Sequence, residues 1–159
     1  MRQIKFRSWV KSREIMLPDE NIYKIQDDWN VDILSENGDT ICSLDSDEFE
    51  LMQFTELKDR NGVEIFEGDI VRCVYFKQVL GANLGVTEVD AELIGMIYFN
   101  GLSLSVKNIS CGKWCDYTGY KDGEGECEYA MLHDVYEGSQ DAEMGIEVIG
   151  NIYENPDLL

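Results

Sequence analysis

Residues 54–73, FTELKDRNGVEIFEGDIVRC, decide the fold of this chain. Asn61-Gly62 accepts positive φ at little cost and is the strongest short-range hairpin signal, with Phe54-Thr55 and Val63-Glu64-Ile65 suited to be its arms. Glu67-Gly68-Asp69 is a second turn, and it launches IVRCVYF. In that run Val71, Cys73 and Tyr75 share one face, while Ile70, Arg72, Val74 and Phe76 share the other. Both faces are largely apolar, so another layer or another subunit has to cover the second one. Hairpin, turn and apolar strand in quick succession are how small closed barrels of SH3-like type turn corners.

The segments on either side carry the same period. RQIKFRSWV alternates, with Ile4 and Phe6 opposite Lys5 and Arg7, as in a half-buried strand. Ser12 to Ile15 begins a second short run that Pro18 ends, which predicts a hairpin or an edge strand stopping near residue 17. Within residues 22–43 the alternation at Val31 and Ile33 and the Asn37-Gly38 turn imply two more strands. In LDSDEFELMQF, Ser46 offers a helix cap while Phe49, Leu51 and Gln53 alternate; a short turn followed by a strand is the expectation.

Downstream, VTEVDAELIGMIYF (86–99) places Thr87, Val89, Ala91, Leu93, Ile97 and Phe99 on one face, with acids opposite over its first half. Gly95 interrupts the apolar face, as a bulge or sharp bend does. Asn100-Gly101 turns the chain into LSLSV, a further strand. IEVIGNIYENP alternates up to Asn155-Pro156 and is expected to close the sheet, leaving the last three residues as a tail.

Three pieces, MRQIKFRSW, LMQFTELKDRNGVEIFEGDIVR and IEVIGNIYENPDLL, together resemble the phage YopX family, in that family's order. Glu56 stands where such sequences usually carry glycine, and Val10 replaces a customary aspartate. The resemblance implies a prophage or bacteriophage accessory protein, mostly β, self-associating, with no established enzymatic role.

Composition narrows the function classes. With 159 residues, 44% of them apolar, the chain can bury a core. Thirty-two acids against 13 Lys plus Arg give a net charge of −19. Direct nucleic-acid binding is disfavoured, because phosphates are held by neutralising cations. Residues 1–13 hold five of the bases and no acid, which leaves 8 bases against 32 acids in the remainder. That asymmetry invites the basic N-terminal strand, through Lys5 and Arg7, to meet the acidic body of a neighbouring subunit. High charge also keeps a protein soluble. A sharper reading makes the acidic surface a DNA mimic aimed at a host nucleic-acid enzyme, which requires carboxylates spaced like phosphates, about 3.4 Å apart along a strand. No apolar stretch approaches a membrane span, and the N-terminus lacks the apolar block of a signal peptide, so no membrane association is expected. The expected location is the cytoplasm of the host cell.

Five cysteines on irregular spacings point to free thiols in a reducing compartment. Cys42 and Cys73 sit among apolar residues and read as small buried hydrophobes. Cys111, Cys115, Cys127 and His133 have the residue types of a Cys3His zinc site, at steps of 4, 12 and 6. The C-x2-C knuckle is missing and nearby carboxylates oppose thiolate formation, so a glycine-rich surface loop with incidental thiols is the reading taken, with no metal and no cofactor. Cys127 with His133 lacks an orienting residue for nucleophilic chemistry. Asp122, Glu124 and Glu126 lack the glycine and terminal glutamate of a calcium loop. Trp114, Tyr117 and Tyr120 read as rings that pack this loop down. Neither GxxxxGK[ST] nor GxGxxG occurs.

The expected architecture is mostly β: an N-terminal strand-rich segment over 1–49, and a small SH3-like barrel over 50–159 with a long loop insertion near 107–140. The expected role is noncatalytic, through homo-oligomerisation and binding of a host or phage protein.

Overall fold

A computed structural model describes residues 5–18, 22–25, 31–34, 40–45, 47–80, 86–101, 103–113, 129–137 and 145–159. The chain is mostly strand, as its alternating pattern predicts. It divides into two compact units, Met1–Leu57 and Lys58–Leu159. The sequence-based boundary at 49/50 falls at the start of the strand that ends the first unit.

In the first unit, β1 (Phe6–Val10) pairs antiparallel with β2 (Ile15–Leu17) on one side and with β6 (Phe49–Lys58) on the other. The β1–β2 connection is tight because Val10 O accepts from Glu14 N at 2.9 Å and from Arg13 N at 3.3 Å, with Glu14 at φ 53°. Pro18 follows β2 directly, so the short edge strand stops where the sequence predicts. Trp9, Val10, Phe49, Met52 and Phe54 are buried, and the Lys5 ammonium lies 5.3 Å from the centre of the Phe54 ring. The turn before β6 forms as expected: Glu48 N donates to Asp45 O at 2.9 Å, and Asp45 N donates to Glu48 Oε2 at 3.0 Å. A second sheet is the meander β3 (Ile22–Ile25), β4 (Val31–Leu34) and β5 (Thr40–Leu44). The segment thus yields three strands where its pattern implied two; the Asn37-Gly38 turn itself lies outside the described residues.

One residue of β6 breaks strand geometry. Glu56 has φ 68°, in the left-handed region, where a side chain with a Cβ is strained. The sequence resemblance sets glutamate here against an expected glycine, and the backbone adopts a conformation that glycine reaches at little cost.

The second unit contains β7 (Glu64–Phe66), β8 (Asp69–Leu80), β9 (Val86–Asn100), β10 (Ser103–Lys113), β11 (Tyr129–Met131), α1 (Leu132–Glu137) and β12 (Gly145–Asn151). Five of these strands form one antiparallel sheet in the order β11-β10-β9-β8-β12. The register sets Cys73 between Leu93 and Ile146, Val71 beside Gly95, and Ile97 beside Val106. Val71, Cys73, Leu93, Ile97, Val106 and Ile146 therefore share one face, and all are buried. Leu132 and Val135, three apart on α1, are buried as well. On the opposite face of β8, Ile70 is buried, Arg72 exposed and Val74 half-buried, so cover on that face fades along the strand.

Several expectations on β9 are refined. Leu93 and Ile97 are in the core, but Phe99, at the end of the same face, is 51% exposed. The irregularity near Gly95 belongs to the partner strand, where the register shifts between Asn108 and Ser110. Gly95 is what lets the two backbones meet: a Cβ there would stand 2.5 Å from Val106 Cγ1 and 2.6 Å from Lys107 O. The C-terminal strand ends at Asn151, earlier than expected, and Pro156–Leu158 form a 3-10 turn in place of a tail.

Glu56→Gly is expected to stabilise the chain by about 0.5–1 kcal/mol, the relief of left-handed strain less the extra freedom of glycine in the unfolded chain. Urea unfolding of the two proteins checks it; an unchanged or lower midpoint would show the strain to be negligible.

Candidate functional site

The densest polar construction among the described residues grows from the KDRNG turn. Asp59 N donates to Val63 O at 2.8 Å and Gly62 N to Asp59 O at 2.9 Å, with Gly62 at φ 85°. The positive φ explains why Asn-Gly occupies this corner. The Asp59 carboxylate does more than close the turn. Its Oδ1 accepts from Asn61 N and Val63 N, both at 2.8 Å, while its Oδ2 reaches across to accept from Val148 N at 3.2 Å. Asn61 Nδ2 stands 3.5 Å from the same Oδ2. Arg60 N adds a bond to Ile146 O at 3.0 Å, and the Arg60 guanidinium pairs with Glu147 at 2.5 Å. A turn at the start of the unit is thereby tied to its last strand.

The electrostatics follow from the bonds. Asp59 is only 6% exposed. Its burial pushes the carboxyl pKa up, but the N–H groups of Val63, Val148 and Asn61, with the Asn61 amide, outweigh it and hold the pKa below the usual value. With both oxygens engaged by donors, Asp59 is a structural acceptor and a poor proton acceptor.

The second turn repeats the device. Asp69 is buried, and its Oδ2 accepts from Phe66 N at 2.7 Å across Gly68, which has φ 80°. Gly68 N donates to Ile97 O at 2.8 Å, and Gly68 O accepts from Ile152 N at 3.0 Å. After β12, the Asn151 side-chain carbonyl accepts from Tyr153 N and Glu154 N, at 3.0 and 2.9 Å. Asn155 Oδ1 then accepts from Asn151 N at 3.2 Å. The middle and terminal stretches quoted above therefore interlock in space.

The residues singled out from sequence fare differently. Cys73 is a free, buried thiol, as expected, and burial pushes its pKa up to about 12, which keeps it from serving as a thiolate nucleophile. Cys111 lies in β10 and His133 in α1, but their side chains, the Cys42 side chain, and Cys115 and Cys127 altogether fall outside the described residues. So do Trp114, Tyr117, Tyr120, Asp122, Glu124 and Glu126. Among the described residues, no group of three or more His, Cys, Asp or Glu side chains is placed to hold a metal ion. Sequence reading passed over Asp59. The signal was there, since an aspartate two residues before Asn-Gly is the residue that bonds a backbone N–H two positions on.

The YopX protein family matches residues 5–159. The chain belongs to this family. A similar fold occurs in a crystal structure of protein EF1440 from Enterococcus faecalis, with a TM-score of 0.51 and 22% identity over 100% of this chain and 99% of that one. No curated protein matches. In this YopX chain the matched range contains both the turn at Asp59 and β12.

Asp59→Asn is expected to cost about 1–3 kcal/mol at pH 7, because a charge-assisted acceptor for three backbone N–H groups is lost. The folded pKa lies below the unfolded one, so this stabilisation is complete above the unfolded pKa and disappears as pH falls through the folded value. The stability gap between the two proteins, measured by denaturant unfolding, should stay constant from pH 7 to about pH 5 and close below about pH 4. A gap independent of pH would refute the assignment.

Proposed function

We propose that this YopX-family chain is a noncatalytic bacteriophage or prophage accessory protein that acts in the host cytoplasm by self-association and protein binding. Family membership over residues 5–159 carries the reading. Supporting it, large apolar side chains stand open in both units: Ile15 in the first, and Val63, Phe99 and Leu159 in the second, with Phe99 and Leu159 more than half exposed. The second unit, in which tight turns at Gly62 and Gly68 lead the chain into a five-stranded antiparallel sheet, is read as SH3-like. Lys5 is half-buried and lies over Phe54 within its own unit, whereas Arg13 in the β1–β2 turn is exposed. Arg13 is thus the better placed base for an acidic neighbouring subunit.

Light scattering is expected to return a mass that is a multiple of the single chain. That mass should fall in about 1 M salt, where charge contacts are screened beyond about 3 Å. A single-chain mass at every concentration overturns the self-association.

The net charge of −19 supports a second reading, an acidic mimic of DNA that occupies a host nucleic-acid enzyme. Capture from host lysate separates the two: a mimic retains basic DNA-handling proteins at low salt and releases them as salt rises. Retention that is indifferent to salt favours the first.

A further inference from the structure

β12 stands at the edge of its five-stranded sheet, with β8 on its inner side. An edge strand offers a row of unpaired N–H and C=O groups to any other strand. Here four of the outward groups are taken. Ile146 O accepts from Arg60 N at 3.0 Å, and Val148 N donates to Asp59 Oδ2 at 3.2 Å. Farther along, Asn151 N donates to Asn155 Oδ1 at 3.2 Å, and Asn151 O accepts from Asn155 N at 3.0 Å. Two of these four partners are side-chain oxygens, and none belongs to a strand.

We propose that the Asp59–Arg60 turn and Asn155 form an edge guard that keeps β12 closed to strand addition by a second copy of the chain. The strand needs one. Its sequence, GIEVIGN, carries a single charge in a chain of net −19, and it is rich in the β-branched residues that favour strand addition. The glycines at 145 and 150 lie where the guard closes in. A Cβ at Gly150 would stand 2.5 Å from Asn155 Oδ1, and one at Gly145 would stand 3.2 Å from Arg60 Cβ. Between them, Ile149 sits at the register shift and is 37% exposed, and a bulge of this kind also discourages edge pairing.

The test compares the unmodified chain with Asp59→Ala and Asn155→Ala. Circular dichroism checks that each variant is folded. In folded Asp59→Ala, at dilutions where its mass equals that of the unmodified chain, the Val148 amide is expected to exchange with deuterium at least about tenfold faster while β8 amides keep their protection, as loss of a charge-assisted bond requires. Both variants should gain a concentration-dependent mass above that of the unmodified chain in sedimentation velocity. Adding Val148→Pro to Asp59→Ala removes the outward donor, which an edge strand tolerates, and should abolish the extra mass. Folded variants that keep the unmodified mass at every concentration overturn the proposal, as does extra mass that survives Val148→Pro. If Asp59→Ala fails to fold, the mass of Asn155→Ala decides alone. The mass of the unmodified chain is the test of self-association proposed above, and the guard is read only as a departure from it.

Discussion

One carboxylate organises the second unit. Asp59 accepts three backbone N–H bonds, two from its own turn and one from Val148, 89 residues away in sequence. A turn closed only by backbone bonds would leave the outer edge of β12 to water or to other chains. A carboxylate with two oxygens satisfies the turn with one and the edge with the other, and buried donors reward a charged acceptor more than a neutral one. Local turn chemistry and long-range closure of the unit are therefore the same interaction.

The pattern recurs at two further corners among the described residues of this unit. Asp69 closes the turn at Gly68, and Gly68 bonds both Ile97 and Ile152 through its backbone. Asn151 and Asn155 cap one another at the end of β12. Each corner pairs a short polar side chain, which accepts from the backbone, with a glycine that supplies either positive φ or room. Gly62 and Gly68 supply the first, and Gly150 the second. Glu56 shows what happens without glycine, since the chain keeps φ 68° there and bears the strain.

These causes also explain what sequence could and could not reveal. Period-two alternation made β1, β6, β8 and β9 legible, and Asn-Gly pairs marked the turns at 61–62 and 100–101. Alternation cannot show where a face stops being covered, which is why it sets Phe99 on the same face as Leu93 and Ile97 although Phe99 is exposed. It also placed the irregularity on the strand carrying Gly95, whereas the close approach that needs glycine displaces the neighbour's register instead. The hydrogen-bonded site escaped notice for a deeper reason. The KDRNG motif announces a turn, but the bond from Val148 exists only once β12 has found its register, and no local pattern encodes it.

Charge completes the argument. Lys11 pairs with Glu50, Arg60 with Glu147 and Arg72 with Glu92, each between groups that are roughly a third to a half exposed. Exposed pairs contribute little stability, commonly below about 1 kcal/mol each. Their consequence here is of another kind. Glu147 and Arg72 are register partners on adjacent strands, and each is bonded to a third residue, so cations and carboxylates alternate from Arg60 through Glu147 and Arg72 to Glu92. In a chain with 13 bases against 32 acids, these four charges sum to zero, two bases against two acids. The closing of the edge itself rests on hydrogen bonds made with Asp59, Arg60 and Asn155.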